Sequence, residues 1–412
     1  MPYSDIEAKS IQSLCTIVDC EHKTAPYVDK SEFLVVRTSN VRNGQLIMDD
    51  MKYTTQAGYD EWTQRAIPIH GDVLFTREAP AGESCLVPRE LKVCMGQRMV
   101  MLRPKTEKVD PVFLSLVLAT EKCKSDISRL SIGSTVSRIN ISDIKKLRVP
   151  SPPLPEQKKI AKILSTWDKA IATTEKLIAT SQQQKKALMQ QLLTGKKRLV
   201  NPETGKAFEG NWEEVKLDDL ALYRRGSFPQ PYGNPEWVDE VNGYPFIQVF
   251  DIDKNMKLKK ATKTKISDAA IDKSVFIEAG TVIVSLQGSI GRVAITQYDA
   301  YVDRTVLLFQ SFKRKMDTIY FAYAIQELFE IEKEKAPGGT IKTITKQVLS
   351  NFTIKVPTHY EQQKIASVLT AADKEIEFLE AKLAHLKEEK KALMQQLLTG
   401  KRRVKVSETE AA

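Results

Sequence analysis

The stretch KKALMQQLLTGK, residues 185–196, recurs letter for letter as residues 390–401, 205 positions further along the chain. The same offset continues upstream, where Glu156-Gln157 aligns with Glu361-Gln362. A repeat period of this length indicates two copies of a whole domain with its connecting segment, rather than a solenoid of short repeats.

Both repeated blocks carry the pattern of a long, paired α-helix. Apolar residues recur at alternating steps of four and three, the period of a coiled-coil seam. The predicted seam residues are Ile160, Leu164, Trp167, Ile171, Ile178, Leu188 and Leu192 in the first block, and Ile365, Leu369, Ile376, Leu379, Leu383, Leu386, Leu393 and Leu397 in the second. Neither block contains an internal Pro or Gly, and Gly195 and Gly400 follow as termination signals. We expect two helices of roughly 55–60 Å that pair antiparallel as a rigid spacer, since each can bury the stripe of the other.

The first 150 residues show the pattern of a strand-rich globular domain. Apolar runs bounded by Gly and Pro predict strands, and a polar-faced apolar segment predicts a helix. The predicted elements are strands at 33–36, 73–75, 99–102 and 144–150, a helix at 111–124 and a turn-rich loop at 131–135.

The pattern restarts near Asn211. Residues 280–284 correspond to 71–75, 318–334 to the helix at Pro111, Gly338-Gly339-Thr340 to Gly133-Ser134-Thr135, and Arg304 to Arg98. The globular halves have diverged far more than the helical blocks. A shared frame with different surfaces favours two related recognition domains of different specificity, held a fixed distance apart.

These observations predict an α+β fold: two strand-rich mixed domains separated by two long helices that form an antiparallel coiled coil, with a pseudo-two-fold internal repeat. The predicted segments are a first globular domain at 1–153, a helical spacer at 154–197, a linker and second globular domain at 198–357, a second helical spacer at 358–402 and a polar tail at 403–412.

Composition indicates a partner of negative charge and a reducing compartment. The formal net charge is +10, with a pI near 9.1, which suggests a polyanion such as nucleic acid. The five cysteines form no CxxC pair and are odd in number, so reduced thiols in the cytoplasm are expected. Neither a signal peptide nor an apolar run long enough to cross a membrane is present in the sequence given.

Motifs that would carry chemistry are missing from the sequence. Gly195-Lys196 and Gly205-Lys206 lack the rest of a Walker A pattern, and the four histidines have no metal-ligand spacing. The Asn/Asp-Pro-Pro-aromatic tetrapeptide of amino-methyltransferases does not occur. Glu-x-Lys tripeptides, which could belong to a nuclease site, lie on the charged faces of the predicted helices. The sequence therefore predicts a binding protein without a catalytic centre or metal site of its own.

Polar and basic residues near the ends of predicted strands are the candidates for DNA contact, because Arg and Lys suit guanine edges, Asn and Gln suit adenine, and all of them can hold phosphates. The candidates in the first half are His22, Lys23, Thr24, Arg37, Ser39, Asn40, Thr76, Arg77 and Arg98. Those in the second half are Arg224, Arg225, Gln248, Ser285, Gln287, Ser289, Arg292 and Arg304. Since Arg98 and Arg304 are predicted to be equivalent, a shared structural or phosphate-binding role is expected for them rather than base choice.

The chain resembles the specificity subunit of type I restriction–modification enzymes. The resemblance lies in the alternation of variable domains and long helices and in the repeated KKALMQQLLTGK block. It extends to the Glu-Gln pair that follows the Pro-containing segment, or hinge, before each long helix, and to residues 71–78 with Gly96-Gln97-Arg98. It implies that each globular half is a target recognition domain, and that the two together read a two-part asymmetric double-stranded DNA site with a non-specific gap.

The resemblance also implies partners. Two modification subunits would bind S-adenosylmethionine and methylate adenine, and two restriction subunits would use ATP and magnesium to translocate and cleave DNA. No cofactor is expected in this chain itself. Three alternatives remain at this point: a solitary two-headed DNA-binding regulator, the recognition chain of a two-subunit enzyme that cuts on both sides of its site, and a self-contained nuclease or methyltransferase, against which the missing motifs argue.

Overall fold

The computed structural model describes residues 6–132, 137–335 and 349–406. The two predicted glycine-containing loops, Gly133-Ser134-Thr135 and Gly338-Gly339-Thr340, lie outside the described residues. Within them the chain divides into two units, one formed by residues up to 175 together with those from 382 onwards, the other by residues 176–381.

The described elements alternate short strands with helices. The helices are α1 Ile11–Leu14, α2 Gln56–Trp62, α3 Pro111–Leu118, α4 Glu121–Leu130, α5 Ile141–Lys146, α6 Leu154–Leu192, α7 Leu217–Leu220, α8 Asp268–Ile271, α9 Thr318–Lys335 and α10 His359–Leu397. The strands of the first unit are β1 Ala8–Ser10, β2 Cys15–Asp19, β3 Phe33–Val36, β4 Val41–Arg42, β5 Gln45–Leu46, β6 Lys52–Thr54, β7 Val73–Thr76, β8 Ser84–Leu86, β9 Lys92–Met95, β10 Met99–Pro104 and β11 Arg148–Pro150. Those of the second unit are β12 Glu213–Lys216, β13 Ala221–Arg225, β14 Tyr244–Ile247, β15 Thr264–Ile266, β16 Val275–Ile277, β17 Val282–Ser285, β18 Val293–Ile295, β19 Ala300–Val302, β20 Val306–Phe312 and β21 Thr353–Val356.

The two units share one sheet topology, which confirms the predicted internal repeat. The first unit has a four-stranded sheet β2-β10-β7-β8, and the second has β13-β20-β17-β18 in the same order. A second sheet, β6-β3-β9, corresponds to β15-β14-β19, to which β16 is added. In each unit one pair of this second sheet is parallel, β3 with β9 and β14 with β19.

The long helices pair antiparallel, as predicted. In the first unit Ile160 and Leu164 near the start of α6 share a core with Leu397 and Leu398 at the end of α10. In the second unit Leu192 near the end of α6 shares a core with residues at the start of α10. All predicted seam residues are buried or half-buried.

The two ends of this helix pair are fixed by the same ion pairs. Lys390 Nζ lies 2.5 Å from Asp168 Oδ1 in the first unit, and Lys185 Nζ lies 2.5 Å from Asp373 Oδ1 in the second. Each pair joins the first part of one helix to the last part of the other. Lys185 and Lys390 fall at the four-and-three spacing of the seam, so their charges are neutralised within the helix pair.

Two element predictions were wrong in detail. The helix predicted at 111–124 is broken into α3 and α4, because Thr120 is extended and its side chain accepts a hydrogen bond from Cys123 N, which caps α4. The strand predicted at 144–150 begins as α5, and only Arg148–Pro150 is extended, paired with β1. In the second unit the corresponding helix α9 is continuous over its 18 residues.

Candidate nucleic-acid interface

The predicted DNA-binding residues of the first unit lie at one edge of its sheets. The start of β10 pairs with the ends of both neighbouring strands: Val100 lies opposite Asp19 of β2, and Met99 lies opposite Thr76 of β7. Residues 96–98 join the end of β9 to this same start of β10. The segments that leave the sheets here are 19–24, 37–40, 76–78 and 96–98, and we call them the first loop edge.

The second unit has the same arrangement. The start of β20 pairs with the ends of β13 and β17, so that Leu307 lies opposite Arg225 and Val306 lies opposite Ser285. Residues 303–305 join the end of β19 to β20. The segments at this edge are 224–232, 248–251, 285–292 and 303–305, and we call them the second loop edge.

Four of the predicted DNA-binding side chains are buried and hold the loops instead. Thr76 is fully buried; its Oγ1 donates to Pro80 O at 2.6 Å and accepts from Glu83 N at 2.9 Å. Ser285 repeats this role, since its Oγ donates to Ser289 O and accepts from Arg292 N at 2.9 Å. The remaining two are Asn40 and Arg77.

Asn40 and Arg77 are bonded within the first loop edge. The Asn40 side chain donates to Ile47 O at 3.2 Å and Asp49 O at 3.1 Å, while its Oδ1 accepts from Arg37 N at 3.2 Å. The Arg77 guanidinium lies 3.3 Å from Asp19 Oδ1. Buried polar side chains are stabilised by such partners, so Asn40 and Arg77 help to hold the loops in place through these contacts.

The accessible cations of the first loop edge are paired with carboxylates. Lys23 Nζ lies 2.9 Å from Glu61 Oε1, and Arg98 Nε lies 3.1 Å from Glu78 Oε2. His22 Nε2 lies 3.1 Å from Asp19 Oδ2. Thr24 and Ser39 are exposed. Lys23 and Arg98 would exchange their carboxylate partners for phosphates if nucleic acid bound here.

Arg37 is a half-buried member of the same edge. Its Nη2 lies 2.9 Å from Asp50 Oδ2 and also donates to Asp50 O. Hydrogen bonds from Lys52 and Arg37 lower the pKa of Asp50 to about 2. The carboxylate thus stays charged and keeps Arg37 folded back on its own loop.

The second loop edge presents exposed arginines, while the acidic side chains of its segments are buried. Arg224, Arg225, Arg292 and Arg304 are exposed, as are Gln287 and Ser289. Arg224 Nε donates to Arg225 O at 3.3 Å, and Arg292 Nη1 donates to Ile252 O at 3.3 Å. Asp251 and Asp303, the acidic residues of segments 248–251 and 303–305, are buried. The outward face of this edge is therefore more basic than that of the first.

The strand registers correct the predicted equivalence of Arg98 and Arg304. Arg77 N donates to Arg98 O, and Leu286 N donates to Thr305 O, so Arg98 corresponds to Thr305. Arg304 corresponds to Gln97. By the same registers Gln248 corresponds to Arg37, and each begins a short helical turn closed by its third residue.

Sequence reasoning missed the residues that organise the second loop edge. Tyr232 donates its hydroxyl hydrogen to Asp303 Oδ2 at 2.8 Å and accepts from Gln248 Nε2 at 3.2 Å. Thr264 Oγ1 in turn donates to Gln248 Oε1 at 3.1 Å. The proline-flanked turn around Tyr232 was a visible loop signal, but its long-range partners were not.

The described residues show neither a metal-binding cluster nor a membrane-spanning helix. No group of three or more His, Cys, Asp or Glu among them could hold a metal ion. None of the helices in the described ranges is both long and apolar enough to cross a membrane. The five cysteines are free and buried, and burial raises the pKa of the Cys85 thiol to about 12.

Together, the two units define a protein built from two related α+β domains, each with a polar loop edge at the same place in its sheets. Residues 3–181 and 209–388 match the family described as the type I restriction modification DNA specificity domain. The chain belongs to this family, and it is a non-catalytic DNA-recognition subunit of a type I restriction–modification system.

Two related specificity subunits match this chain over most of its length. The putative type I restriction enzyme MjaX specificity subunit of Methanocaldococcus jannaschii is 26% identical over 97% of this chain and 94% of its own. The MjaVIII specificity subunit of the same organism is 28% identical over 76% of this chain and 75% of its own. These matches support the specificity subunit rather than the three alternatives.

Solved structures show the same fold. A chain from a study of assembly and conformational transition of a type I system has a TM-score of 0.61 at 19% identity, covering 95% of this chain and 97% of that one. The type I S subunit of M. genitalium has a TM-score of 0.57 at 15% identity, covering 95% and 96%.

Proposed function

We propose that the two loop edges read the two parts of an asymmetric, bipartite double-stranded DNA site separated by a non-specific gap. The observation that carries this proposal is the combination of one frame with two unlike surfaces. Thr76 and Ser285 hold equivalent loops by equivalent bonds, whereas Asp19, Arg37 and Gln97 are replaced by Arg225, Gln248 and Arg304 at the corresponding positions.

Bivalence explains how two modest surfaces would give a specific complex. A loop edge that holds a few bases and phosphates binds weakly by itself, and part of its affinity is lost as salt rises. When the first edge is bound, the helix pair gives the second edge a high effective concentration at its own half-site. The spacer would then measure the gap while the loops measure the bases.

The chain would direct chemistry that partner subunits perform. We propose two modification subunits that use S-adenosylmethionine to methylate adenine, and two restriction subunits that use ATP and magnesium, all in the cytoplasm. Exposed glutamines on α6, which are Gln182, Gln183, Gln190 and Gln191, are proposed to help dock the modification subunits. Because glutamine offers both donors and acceptors, such a face suits a polar interface.

Lengthening both helices by one heptad tests the spacer. Seven residues inserted after Lys176 and seven after Ala381 keep the seam period, and they leave the Lys390–Asp168 and Lys185–Asp373 pairs intact. The insertion adds about 10 Å at 1.5 Å per residue, which is about three base pairs of duplex. We expect the methylated site to keep both half-sites while its gap grows by about three base pairs, as measured by mapping methylated adenines in cells.

The matched control is a seven-residue Gly/Ser insertion between Glu203 and Thr204, in the turn of the linker. It should leave the gap unchanged. An unaltered gap in the heptad variant, with methylation retained, would show that the helices do not measure it.

Activity is expected to depend entirely on partners. The purified chain incubated with S-adenosylmethionine and site-containing DNA should transfer no methyl groups, whereas the same chain with its modification subunits should methylate one site class. The measurement is incorporation of a labelled methyl group. Sequence-specific methylation by the lone chain would contradict the proposed division of labour.

A further inference from the structure

Arg304 stands apart from the other arginines of the second loop edge. It is exposed, and its guanidinium carbon lies 5.2 Å from the centroid of the Tyr232 ring. Arg224 and Arg292 each donate to a backbone carbonyl, whereas Arg304 has no hydrogen-bond or ion-pair partner among the described residues. A guanidinium that contacts an aromatic ring and has no hydrogen-bond partner there has N–H groups available for another acceptor.

Tyr232, on which Arg304 lies, is itself firmly held. Its hydroxyl is bonded to Asp303 Oδ2 and Gln248 Nε2, and its ring packs 5.0 Å from that of Phe228. Asp303 is 1% exposed, and its other oxygen accepts from Thr305 N at 2.9 Å and Thr305 Oγ1 at 2.6 Å. The aromatic platform is therefore fixed from below by a satisfied polar network.

The Tyr232 hydroxyl is held in its protonated form. Burial, reinforced by the Asp303 carboxylate, raises the pKa of the Tyr232 hydroxyl above its ordinary value. The hydroxyl thus stays protonated at neutral pH and continues to donate to Asp303.

We propose that Arg304 reads a guanine in the half-site of the second unit, with its guanidinium donating to O6 and N7 in the major groove, and that Tyr232 is its positioning residue. This inference rests on the proposed reading of DNA by the loop edges. Guanine offers two acceptors side by side, which match the fork of the guanidinium. The cation–π contact with Tyr232 restricts part of the rotamer freedom that a surface arginine would lose on binding.

The equivalent position in the first unit supports a role in base choice. It is occupied by Gln97, which is also exposed, although its Nε2 donates to His22 O at 3.2 Å. Glutamine suits adenine, whereas arginine suits guanine. A position that differs in this way on a shared frame is better explained by different bases than by a common phosphate contact.

Methylation mapping of single variants tests the inference in the complete system. The variants are Arg304→Gln, Arg304→Lys, Tyr232→Phe and Tyr232→Leu, each expressed with the partner subunits. Arg314→Gln is the matched control, since Arg314 follows the far end of β20 and is bound to Glu213. Binding of purified complexes to oligonucleotides with each base changed in turn, at two salt concentrations, is the second measurement.

Arg304→Gln is expected to lose roughly 5- to 150-fold in discrimination at one guanine of one half-site, with the other half-site and the gap unchanged. Arg304→Lys should lose most of it, because an ammonium cannot form the paired contacts. Tyr232→Leu should weaken discrimination at the same base pair only. Tyr232→Phe, which keeps the ring, should retain much of the discrimination that Tyr232→Leu loses. Arg314→Gln should behave as wild type.

Two results would overturn the inference. One is that Arg304→Gln loses affinity uniformly across all sequences and shows a smaller salt dependence, while Arg304→Lys keeps the affinity of the wild type. That outcome marks a phosphate contact. The other is an unchanged site in Arg304→Gln. Failure of the proposed function is a separate result, because then the wild-type complex itself would show no bipartite site.

Discussion

Gln157→Leu is expected to lower the free energy of unfolding by about 3–5 kcal/mol, although the new side chain is close to the old one in size. Gln157 is 1% exposed, in the first turn of α6. Its Oε1 accepts from Asp110 N at 2.9 Å, and its Nε2 donates to Pro152 O at 2.8 Å and Lys108 O at 3.3 Å. Leucine would leave three backbone groups without this partner in a buried site, and each such group costs about 1–3 kcal/mol.

Urea denaturation followed by circular dichroism measures this loss. The control is Gln363→Leu, which changes an exposed glutamine on α10 and should shift stability by less than about 0.5 kcal/mol. Gln362→Leu should repeat the effect in the second unit, since Gln362 accepts from Asp317 N and donates to Pro357 O, both at 2.9 Å. If Gln157→Leu were as stable as the control, the buried glutamine would not be what joins the hinge to the helix.

The same residues show what the sequence could and could not predict. The pair Glu156-Gln157 and its copy Glu361-Gln362 were visible as a repeated pattern, and repetition of long apolar stripes was sufficient to predict a helix pair. That prediction succeeds because helical period is a local property of the chain. The burial of both glutamines depends on loops some 45–50 positions away in sequence, which no local pattern contains.

The clustering of the candidate residues was predictable, whereas their individual contacts were not. Polar residues at strand ends indicated segments that the structure brings together, because antiparallel and parallel neighbours bring those ends to one edge. The burial of individual side chains could not be predicted. Asn40 and Ser285 are residue types that can contact DNA, yet both side chains are buried within their own loops.

The mistaken pairing of Arg98 with Arg304 has a simple structural cause. Thr76 pairs with Met99 and Ser285 with Val306, so the intervening segment is two residues longer in the first unit. With so little sequence identity left between the halves, strand register was needed to find the true equivalents. Gln97 and Arg304 therefore stand at one equivalent position of the two loop edges.

Arg403→Gln is expected to destabilise the chain by about 1–3 kcal/mol at pH 7, since Glu156 is buried but the Arg403 side chain is 42% exposed and partly screened by solvent. The Arg403 Nε lies 2.8 Å from Glu156 Oε1 and its Nη2 lies 2.6 Å from Glu156 Oε2, while Val404 N donates to Oε1 at 3.1 Å. Glu156 is 4% exposed, so the variant would leave a buried carboxylate with one hydrogen bond from Val404. Arg198 makes the same two contacts to Glu361 at 2.7 Å each, and Arg198→Gln should have a similar effect.

The pH dependence of the Arg403 effect has a definite sign. Burial opposes the charged form of Glu156, but the hydrogen bonds and charge of Arg403, with Val404 N, lower its pKa overall below the ordinary value. A carboxylate with a depressed folded pKa contributes stability that is complete above the unfolded pKa, near 4.3, and is lost as pH falls through the folded pKa. The difference between wild type and Arg403→Gln should therefore be full at pH 7 and should shrink below about pH 4.

The measurement is the urea midpoint of both proteins between pH 3 and pH 8, with Arg402→Gln as the control. Arg402 is exposed, so its variant removes the same charge without touching Glu156 and should follow wild type at every pH. A constant difference between wild type and Arg403→Gln down to pH 3 would mean that Arg403 stabilises by packing alone. A stability difference that is present at neutral pH and lost at low pH would instead establish that the ion pair between Arg403 and Glu156 anchors the segment after α10 to the start of α6.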